Sequence, residues 1–163
     1  MKEYEYSFKV KSIKPYIAYC IENGYTKESE VTQNRIVYEN RHTPDIISRV
    51  TKKIVDGKEK VVFDIKNVGK RDNKLKDSIE SIPLVVTDDI REIVDSMIKT
   101  LDFYEAANNY RTRYVYKKNG VKFEIDDYIE PKMYVVGIEG NKIEVDNIYN
   151  ELIEKNVGEI INE

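Results

Sequence analysis

Residues 110–140 constrain the fold more than any other part of the chain, because they contain three extended segments separated by clear breaks. The Asn119-Gly120 pair is typical of a two-residue hairpin turn, so the first two segments are predicted to pair antiparallel. A proline break at positions 130–131 precedes the third segment, residues 133–139. The stretch therefore predicts three antiparallel strands in succession.

Charged residues in this stretch fall on one face of the predicted strands. Arg111 and Arg113 point the same way, because strand side chains alternate with a period of two. On the returning strand, Glu124 and Asp126 lie opposite the apolar face, and Glu139 ends the third strand. These positions predict cations at one end of the hairpin and carboxylates at the other. Such a sheet face indicates a site for an anion that also carries a metal ion.

Alternation and turn signals predict secondary structure along the rest of the chain. Residues 3–11 alternate strictly between apolar and polar side chains, which is typical of a half-buried strand. Asp56-Gly57 is a second turn of the hairpin type. Residues 67–80 are charge-rich and polar, so they are predicted to be a loop. The remaining predicted elements are a helix at 15–23, strands at 30–38, 46–55 and 60–66, and helices at about 88–101 and 145–155.

The predicted helix at about residues 88–101 has the clearest helical pattern. Its apolar residues recur with the i, i+3, i+4, i+7 spacing of an amphipathic helix. They are Ile90, Ile93, Val94, Met97, Ile98 and Leu101. A stripe of this kind packs one face of a helix against a core.

Length, charge and cysteine content limit the class of protein. A chain of 163 residues, 40% of them hydrophobic, is predicted to form a single domain over residues 1–163. A net charge of -3 gives no global basic field, so no nucleic-acid partner is expected. The single cysteine, Cys20, excludes an internal disulfide and a multi-cysteine zinc site. No segment reaches a bilayer-spanning length, so we expect a cytoplasmic protein without a membrane partner.

The polar strand faces allow two architectures. An antiparallel sheet covered on one side would leave them in water, whereas a closed barrel with these faces inward would enclose a charged tunnel. Arginine and lysine donors suit phosphate oxygens, and a hard cation such as Mg²⁺ accepts one or two carboxylates. The residues that would line such a tunnel are Glu3, Glu5, Lys9, Arg49, Lys53, Lys66, Arg111, Arg113, Glu124, Asp126 and Glu139.

The order of short motifs along the chain resembles that of the CYTH superfamily. Its members are also called triphosphate tunnel metalloenzymes, and they include class IV adenylate cyclases and thiamine triphosphatases. The resemblance spans nearly the whole chain. The motifs that carry it are EYEYSFKV at the start, Gln33 with Tyr38, Asp64-Ile65-Lys66, Arg111-Thr112-Arg113 followed by Tyr116, Ile125-Asp126, and Gly137-Ile138-Glu139-Gly140.

Three positions depart from the family pattern. Ser7 stands where the family's Glu-x-Glu-x-Lys strand has its lysine, and Lys9 on the same face is a candidate substitute. Thr51 replaces the second arginine of the family's Arg-x-Arg strand, and Gly137 replaces the first glutamate of its later Glu-x-Glu motif. Each departure removes one charge from an expected site, which leaves a weakened or repurposed site as a second interpretation.

The resemblance implies an α+β fold, namely an antiparallel eight-stranded β-barrel (tunnel) with helices packed outside, and a small-molecule triphosphate as its partner. It implies phosphate binding by Arg49, Lys53, Lys66, Arg111 and Arg113, catalytic roles for Lys9, Arg111 and Arg113, and Mg²⁺ or Mn²⁺ at Glu3, Glu5, Asp126 and Glu139. The expected reaction is metal-dependent hydrolysis of inorganic triphosphate, thiamine triphosphate or a nucleoside triphosphate. The alternatives are ATP cyclisation of the class IV type and a non-catalytic barrel that binds a phosphorylated ligand. A homodimer is compatible with either.

Overall fold

The computed structural model describes residues 2–72 and 74–161, and side chains for all of these except residues 2 and 70–72. In chain order the elements of these ranges are β1 (Lys2–Val10), α1 (Lys14–Glu22), β2 (Thr26–Asn40), β3 (Ile46–Val55), β4 (Lys58–Asp72), β5 (Leu75–Glu80), β6 (Leu84–Val85), α2 (Asp88–Thr100), β7 (Phe103–Lys118), β8 (Val121–Glu130), β9 (Met133–Gly140) and α3 (Lys142–Glu154). None of these helices combines the length and the apolar character that crossing a bilayer requires.

Eight strands close into an antiparallel barrel in the order β1-β5-β4-β3-β2-β7-β8-β9, with β9 returning to β1. Pairing between β3 and β4 completes the ring. The short strand β6 lies outside the ring and pairs with β4 at Val62 and Phe63. The predicted fold, an eight-stranded antiparallel tunnel with helices packed outside, is confirmed.

Two tight turns fix the hairpins of the barrel. Asp56 and Gly57 join β3 to β4 with φ values of 50° and 72°, and Asn119 and Gly120 join β7 to β8 with φ values of 49° and 79°. Positive φ at both central residues is the mark of a type I′ turn, whose twist matches that of the flanking strands. Both predicted hairpin turns are therefore confirmed.

The apolar faces of β1, β8 and β9 point away from the barrel axis and pack under α1 and α3. Because side chains alternate along each strand, the polar residues between these apolar ones point into the barrel. Cys20 of α1 is fully buried in this core, where it packs as a small apolar side chain. The side chains that fill the core include Phe8, Tyr16, Phe123, Ile125, Val136, Ile138 and Leu152.

Helix α2 covers a second, smaller core on the outside of the barrel. Val94 and Ile98 are buried there with Phe63 of β4. Two other members of the predicted apolar stripe, Ile93 and Met97, remain 59% and 38% exposed. The stripe is therefore only half buried, because its apolar residues extend over more of the helix circumference than the barrel wall covers.

The prediction of a loop at residues 67–80 is wrong. Strand β4 continues into this region, and β5 follows it and pairs with both β4 and β1. Charged residues are frequent here because alternate side chains face the polar tunnel, as Lys76 does. The glycine also has a role in the sheet, since a Cβ at Gly69 would lie 2.4 Å from the backbone oxygen of Asp77. High polarity therefore fails to separate loop from strand when both faces of a strand carry polar residues.

Candidate functional site

The inward faces of the barrel strands line a charged tunnel. On β8 the apolar residues lie under the helices, while Lys122, Glu124 and Asp126 alternate with them and face inward. A first cavity of about 230 Å³ is lined, among the described residues, by six basic and four acidic side chains. A second cavity, which Lys122 lines, continues the tunnel and shares Arg35, Arg113 and Glu124 with the first.

Two arginines of β7 share one carboxylate of β8. Arg113 stands directly opposite Asp126 in the strand register, and its Nε and Nη2 donate to the Asp126 carboxylate at 2.7 and 2.8 Å. Arg111 Nη1 donates to the same carboxylate at 3.0 Å and to the Tyr128 hydroxyl at 2.8 Å. The prediction of cations at one end of the hairpin and carboxylates at the other is therefore wrong. The two kinds of charge interleave, because the antiparallel register sets one against the other.

A second ion-pair network joins β3, β4, β5 and β1. Arg49 Nε and Nη2 each donate to the Asp64 carboxylate at 2.7 Å, and Nη2 also reaches Glu80 at 3.2 Å. Lys66 Nζ lies 2.6 Å from Glu80 and 3.3 Å from Glu5. Burial acts to lower the pKa of Lys66, but the two carboxylates outweigh burial and raise it. These basic side chains are thus already compensated within the protein.

Lys122 is held between two carboxylates. Its Nζ lies 3.1 Å from Glu124 Oε1 and 2.5 Å from Glu139 Oε2, and Glu124 also contacts Arg113. Burial acts against the charge of Lys122, yet the carboxylates raise its pKa. Burial, followed by the charges of Glu124 and Glu5, raises the pKa of Glu139 to about 7 although Lys122 opposes this shift. Negative charge is therefore crowded around the ammonium group.

Arg35 of β2 lies in a different environment. Its Nε donates to Thr51 Oγ1 at 3.0 Å, and it forms no ion pair with any carboxylate of the described ranges. Burial, and then repulsion by Arg111 and Arg113, lowers the pKa of Arg35 to about 9. Burial followed by repulsion from Arg113 also lowers the pKa of Arg111. The arginine cluster, defined as Arg35, Arg111 and Arg113, therefore carries positive charge that the tunnel does not fully compensate.

The structure brings most of the predicted phosphate-binding residues together. Those that line the first cavity are Arg49, Lys66, Arg111 and Arg113. Lys53 lines the second cavity instead, where burial followed by the charge of Lys60 lowers its pKa. Lys9 is half-buried on β1 opposite Val135 and lines neither of these cavities, so its catalytic role stays a prediction.

The four predicted metal ligands are not assembled into one site. Glu5 and Glu139 stand opposite each other on β1 and β9 and both line the first cavity. Glu3 lies further along β1, and Asp126 is bound by the two arginines. Across residues 2–72 and 74–161, no three histidine, cysteine or acidic side chains are grouped so that they could hold a metal ion. Neighbouring cations engage Glu5, Asp126 and Glu139, and Glu3 lies apart from these three. The donor set therefore does not fit the predicted Mg²⁺ or Mn²⁺.

The three residues that depart from the family motifs each stand opposite a residue of a neighbouring strand in the tunnel wall. Ser7 stands opposite Gly137 across β1 and β9. A Cβ at Gly137 would lie 3.5 Å from Glu5 Oε1, which is ordinary contact, so a longer side chain would enter the tunnel without a backbone clash. Thr51 stands opposite Arg35 and accepts its hydrogen bond.

Two residues of the tunnel networks, Glu80 and Lys122, were missed from the sequence, and for Arg35 the sequence left open whether it lines the tunnel or lies outside. The inward direction of Arg35 depends on the strand register, which the sequence leaves open. Glu80 fell within the predicted loop. Lys122 could have been found, because it has the same parity as Glu124 and Asp126 on a strand that was correctly predicted.

Comparisons with known proteins give matches at the level of structure. A scan against models of protein families and a sequence search of curated proteins gave no match. The PH1012 protein of Pyrococcus horikoshii OT3 matches with a TM-score of 0.71 at 17% identity, over 98% of this chain and 94% of that chain. HpAC1 from Hippeastrum, described as an adenylyl cyclase candidate with a dominant triphosphatase activity, gives 0.67 at 14% identity over 99% and 91%. A chain of the Schizosaccharomyces pombe Mediator head module gives 0.66 at 12% identity over 98% and 98%.

Each of these matches covers almost the whole chain, and at these identities the likeness concerns the fold. The structure adds a closed ring of eight antiparallel strands with charged residues inside and helices outside. The chain therefore shares the fold of these solved structures, which agrees with the tunnel fold that the resemblance to the CYTH superfamily implies.

Proposed function

We propose that the tunnel binds the phosphate chain of a small-molecule triphosphate and hydrolyses one of its phosphoanhydride bonds. The observation that carries this proposal is the arginine cluster. Arg35 has no carboxylate partner among the described residues, and burial, followed by repulsion within the cluster, lowers the pKa values of Arg35 and Arg111. A bound multivalent anion would supply the missing negative charge. Guanidinium groups also present paired donors that match phosphate oxygens.

The first cavity is lined by basic side chains in addition to those of the arginine cluster. Arg49 and Lys66 line the same cavity from β3 and β4, the two strands that follow β2 around the barrel. Each holds its carboxylate partners through side-chain contacts, and these can rearrange when a ligand with higher charge density enters. A linear chain of phosphates is thus a better match to the cavity than a single phosphate.

Hydrolysis in this tunnel would rest on charge stabilisation by arginines. A water oxygen forms a bond to the terminal phosphorus while the bond to the bridging oxygen breaks. One hydrogen of the water stays on the released orthophosphate, and the other passes to the diphosphate or to solvent. Arg111 and Arg113, held in place by Asp126, would stabilise the negative charge that develops on the leaving diphosphate. The triphosphatase activity described for HpAC1, a protein of similar fold, supports this class of reaction.

The metal dependence implied by the resemblance has less support from the geometry. Asp126 is bound by two arginines, Glu124 and Glu139 by Lys122, and Glu5 by a lysine of β4. These carboxylates are not grouped as metal ligands, so we derive no step through a metal ion. The positive charge that the reaction requires is assigned to the arginine cluster.

Binding without turnover is the second candidate function. It is favoured by the ion pairs within the tunnel, because Arg49, Lys66 and Arg113 are each already engaged by carboxylates. The match to a chain of the Mediator head module supports it as well, since the fold occurs in a protein described as neither a cyclase nor a triphosphatase. The tunnel would then bind a phosphorylated ligand and release it unchanged.

One experiment separates the two candidates. Inorganic tripolyphosphate and ATP are each incubated with the protein, and binding is measured by calorimetry while orthophosphate release is measured colorimetrically. Arg35→Gln serves as the site variant, and Arg91→Gln, on the exposed side of α2, serves as the matched control. Hydrolysis is supported if the wild-type protein and Arg91→Gln release orthophosphate and Arg35→Gln does not. The second candidate is supported if the wild-type protein binds either compound without releasing orthophosphate. If the wild-type protein neither binds nor cleaves either compound, the proposal is wrong.

A further inference from the structure

Lys122 holds the place among the tunnel carboxylates that a cation would take. Its ammonium nitrogen bridges Glu124 and Glu139, which come from different strands and face the same tunnel. We infer that Lys122 substitutes for a divalent cation at these carboxylates, so that the tunnel binds its phosphate ligand without a metal ion. The part of this inference that concerns the phosphate ligand rests on the proposed function. The part that concerns the metal ion does not.

The strand register explains why the ammonium group reaches this position. Glu139 on β9 stands opposite Glu5 on one side and opposite Lys122 on the other. Glu124 is the next inward-facing residue after Lys122 on β8, so both carboxylates lie within reach of one lysine side chain. At Nζ–O distances of 2.5 and 3.1 Å, both carboxylates form ion pairs with the ammonium group.

The ammonium group retains capacity for a ligand. A lysine carries three N–H donors, and Glu124 and Glu139 accept from two of them. Lys122 lines the second cavity together with Arg113, a member of the arginine cluster. The third donor therefore lies beside the region where a phosphate chain is proposed to bind. A metal ion bound by carboxylates would act in the same way, because it would hold the carboxylates on one side and a phosphate oxygen on the other.

A second sequence feature acts in the same direction. The family motif has a glutamate where this chain has Gly137. A Cβ added at Gly137 would lie 3.5 Å from Glu5 Oε1. The chain thus lacks a carboxylate at this position, and Lys122 engages two of the carboxylates that remain. Both features leave fewer carboxylate oxygens free to bind a divalent cation.

The test measures Mn²⁺ binding by electron paramagnetic resonance in the absence of any phosphate compound. Lys122→Gln removes the ammonium group and leaves Glu5, Glu124 and Glu139 in place. We expect it to bind one Mn²⁺ per chain, at least about tenfold more tightly than the wild-type protein. Lys155→Gln is the matched control, because Lys155 is an exposed lysine at the end of α3 that pairs with Glu151 and lines neither cavity. This control should bind Mn²⁺ as weakly as the wild-type protein does.

Two further variants keep the test decisive. Lys122→Arg retains the positive charge and should not gain Mn²⁺ binding. Glu139→Gln, combined with Lys122→Gln, should remove the binding that Lys122→Gln gains. If Lys122→Gln is unfolded in the absence of metal ions, we expect Mn²⁺ to restore its circular dichroism spectrum and its melting transition. The Mg²⁺-free wild-type protein should melt at the same temperature with and without Mn²⁺. The inference is overturned if the wild-type protein binds Mn²⁺ as tightly as Lys122→Gln does, or if Mn²⁺ neither binds to nor refolds that variant.

A calorimetric titration with inorganic tripolyphosphate tests the ligand part separately. We expect the wild-type protein to bind tripolyphosphate with the same affinity, within about twofold, in EDTA and in Mg²⁺. Binding that requires Mg²⁺ would overturn the inference while leaving the proposed function intact. A protein that binds no tripolyphosphate under either condition would contradict the proposed function, and the Mn²⁺ result for Lys122→Gln would still stand on its own.

Discussion

Ser7 on β1 stands directly opposite Gly137 on β9, although the two residues come from opposite ends of the chain. The family motifs have a lysine at the first position and a glutamate at the second. This chain therefore lacks one cation and one carboxylate on neighbouring strands at the same level of the tunnel. Because the two losses cancel, the local charge balance matches that of the family pattern, and the two departures form a pair.

Restoring the two charges should reveal this pairing. Ser7→Lys alone adds an uncompensated cation to the tunnel, and Gly137→Glu alone adds a carboxylate beside Glu5. We expect each single variant to lower the free energy of unfolding, and the double variant to be more stable than the sum of the single effects predicts, by about 1 kcal/mol. Urea unfolding of the four proteins measures this coupling. Additive effects would show that the two positions are independent.

The arginine cluster predicts a conflict between stability and binding. Arg35 lacks a carboxylate partner in the described part of the chain, so Arg35→Gln should relieve repulsion from Arg111 and Arg113. We expect the variant to be at least as stable as the wild-type protein in thermal melts. Its affinity for inorganic tripolyphosphate should fall at least about tenfold, because one guanidinium contact with phosphate is lost. A destabilised variant that retains its affinity would assign Arg35 a purely structural role.

Substitution of Asp126 should have the opposite effect on stability from substitution of Arg35. Its carboxylate is 3% exposed and binds both Arg111 and Arg113. Asp126→Asn leaves two guanidinium groups without their shared counter-charge, so we expect the free energy of unfolding to fall by about 3 kcal/mol in urea. Added tripolyphosphate should recover part of this loss by supplying negative charge to the same arginines. Exposed Asp95 of α2, changed to Asn, is the control, and it should behave as the wild-type protein does.

The fold was more predictable than the site, for a physical reason. Alternation at the N-terminus and the two turn dipeptides are local signals, and they predicted a strand-rich chain. They left an open sheet and a closed barrel both possible, and the barrel with its polar faces inside followed from the family resemblance. Register is not a local signal. The sequence shows Arg113 and Asp126 as separate residues on two strands, whereas the hairpin register sets them opposite each other and turns a predicted phosphate ligand and a predicted metal ligand into one ion pair. The inward direction of Lys122 follows from the alternation along β8, but its contact with Glu139 depends on the register, which sets the two residues opposite each other.

The Glu80 network predicts a dependence of stability on pH. Burial alone would raise the pKa of Glu80, but the charges of Arg49 and Lys66 outweigh burial and lower it. A carboxyl group whose pKa is lower in the folded state stabilises the protein above its unfolded pKa of about 4.3, and this stabilisation is lost as the pH falls through the folded pKa. Between about pH 5 and pH 3, the free energy of unfolding should therefore fall less steeply for Glu80→Gln than for the wild-type protein. At pH 7 the variant should be the less stable of the two. Urea unfolding at a series of pH values measures both slopes, and parallel slopes would show that Glu80 does not contribute.

The strand pairing at residues 67–80 can be tested at a glycine. A Cβ at Gly69 would lie 2.4 Å from the backbone oxygen of Asp77, so the two strands must move apart in Gly69→Ala. We expect this change to cost about 2 kcal/mol in urea unfolding and to speed amide hydrogen exchange in β5. Gly137→Ala is the matched control, because a Cβ there meets only ordinary contacts, 3.5 Å or longer, and it should change stability by less than about 1 kcal/mol. If the two alanine variants are equally stable, β4 and β5 do not approach each other at Gly69 as closely as the structure indicates.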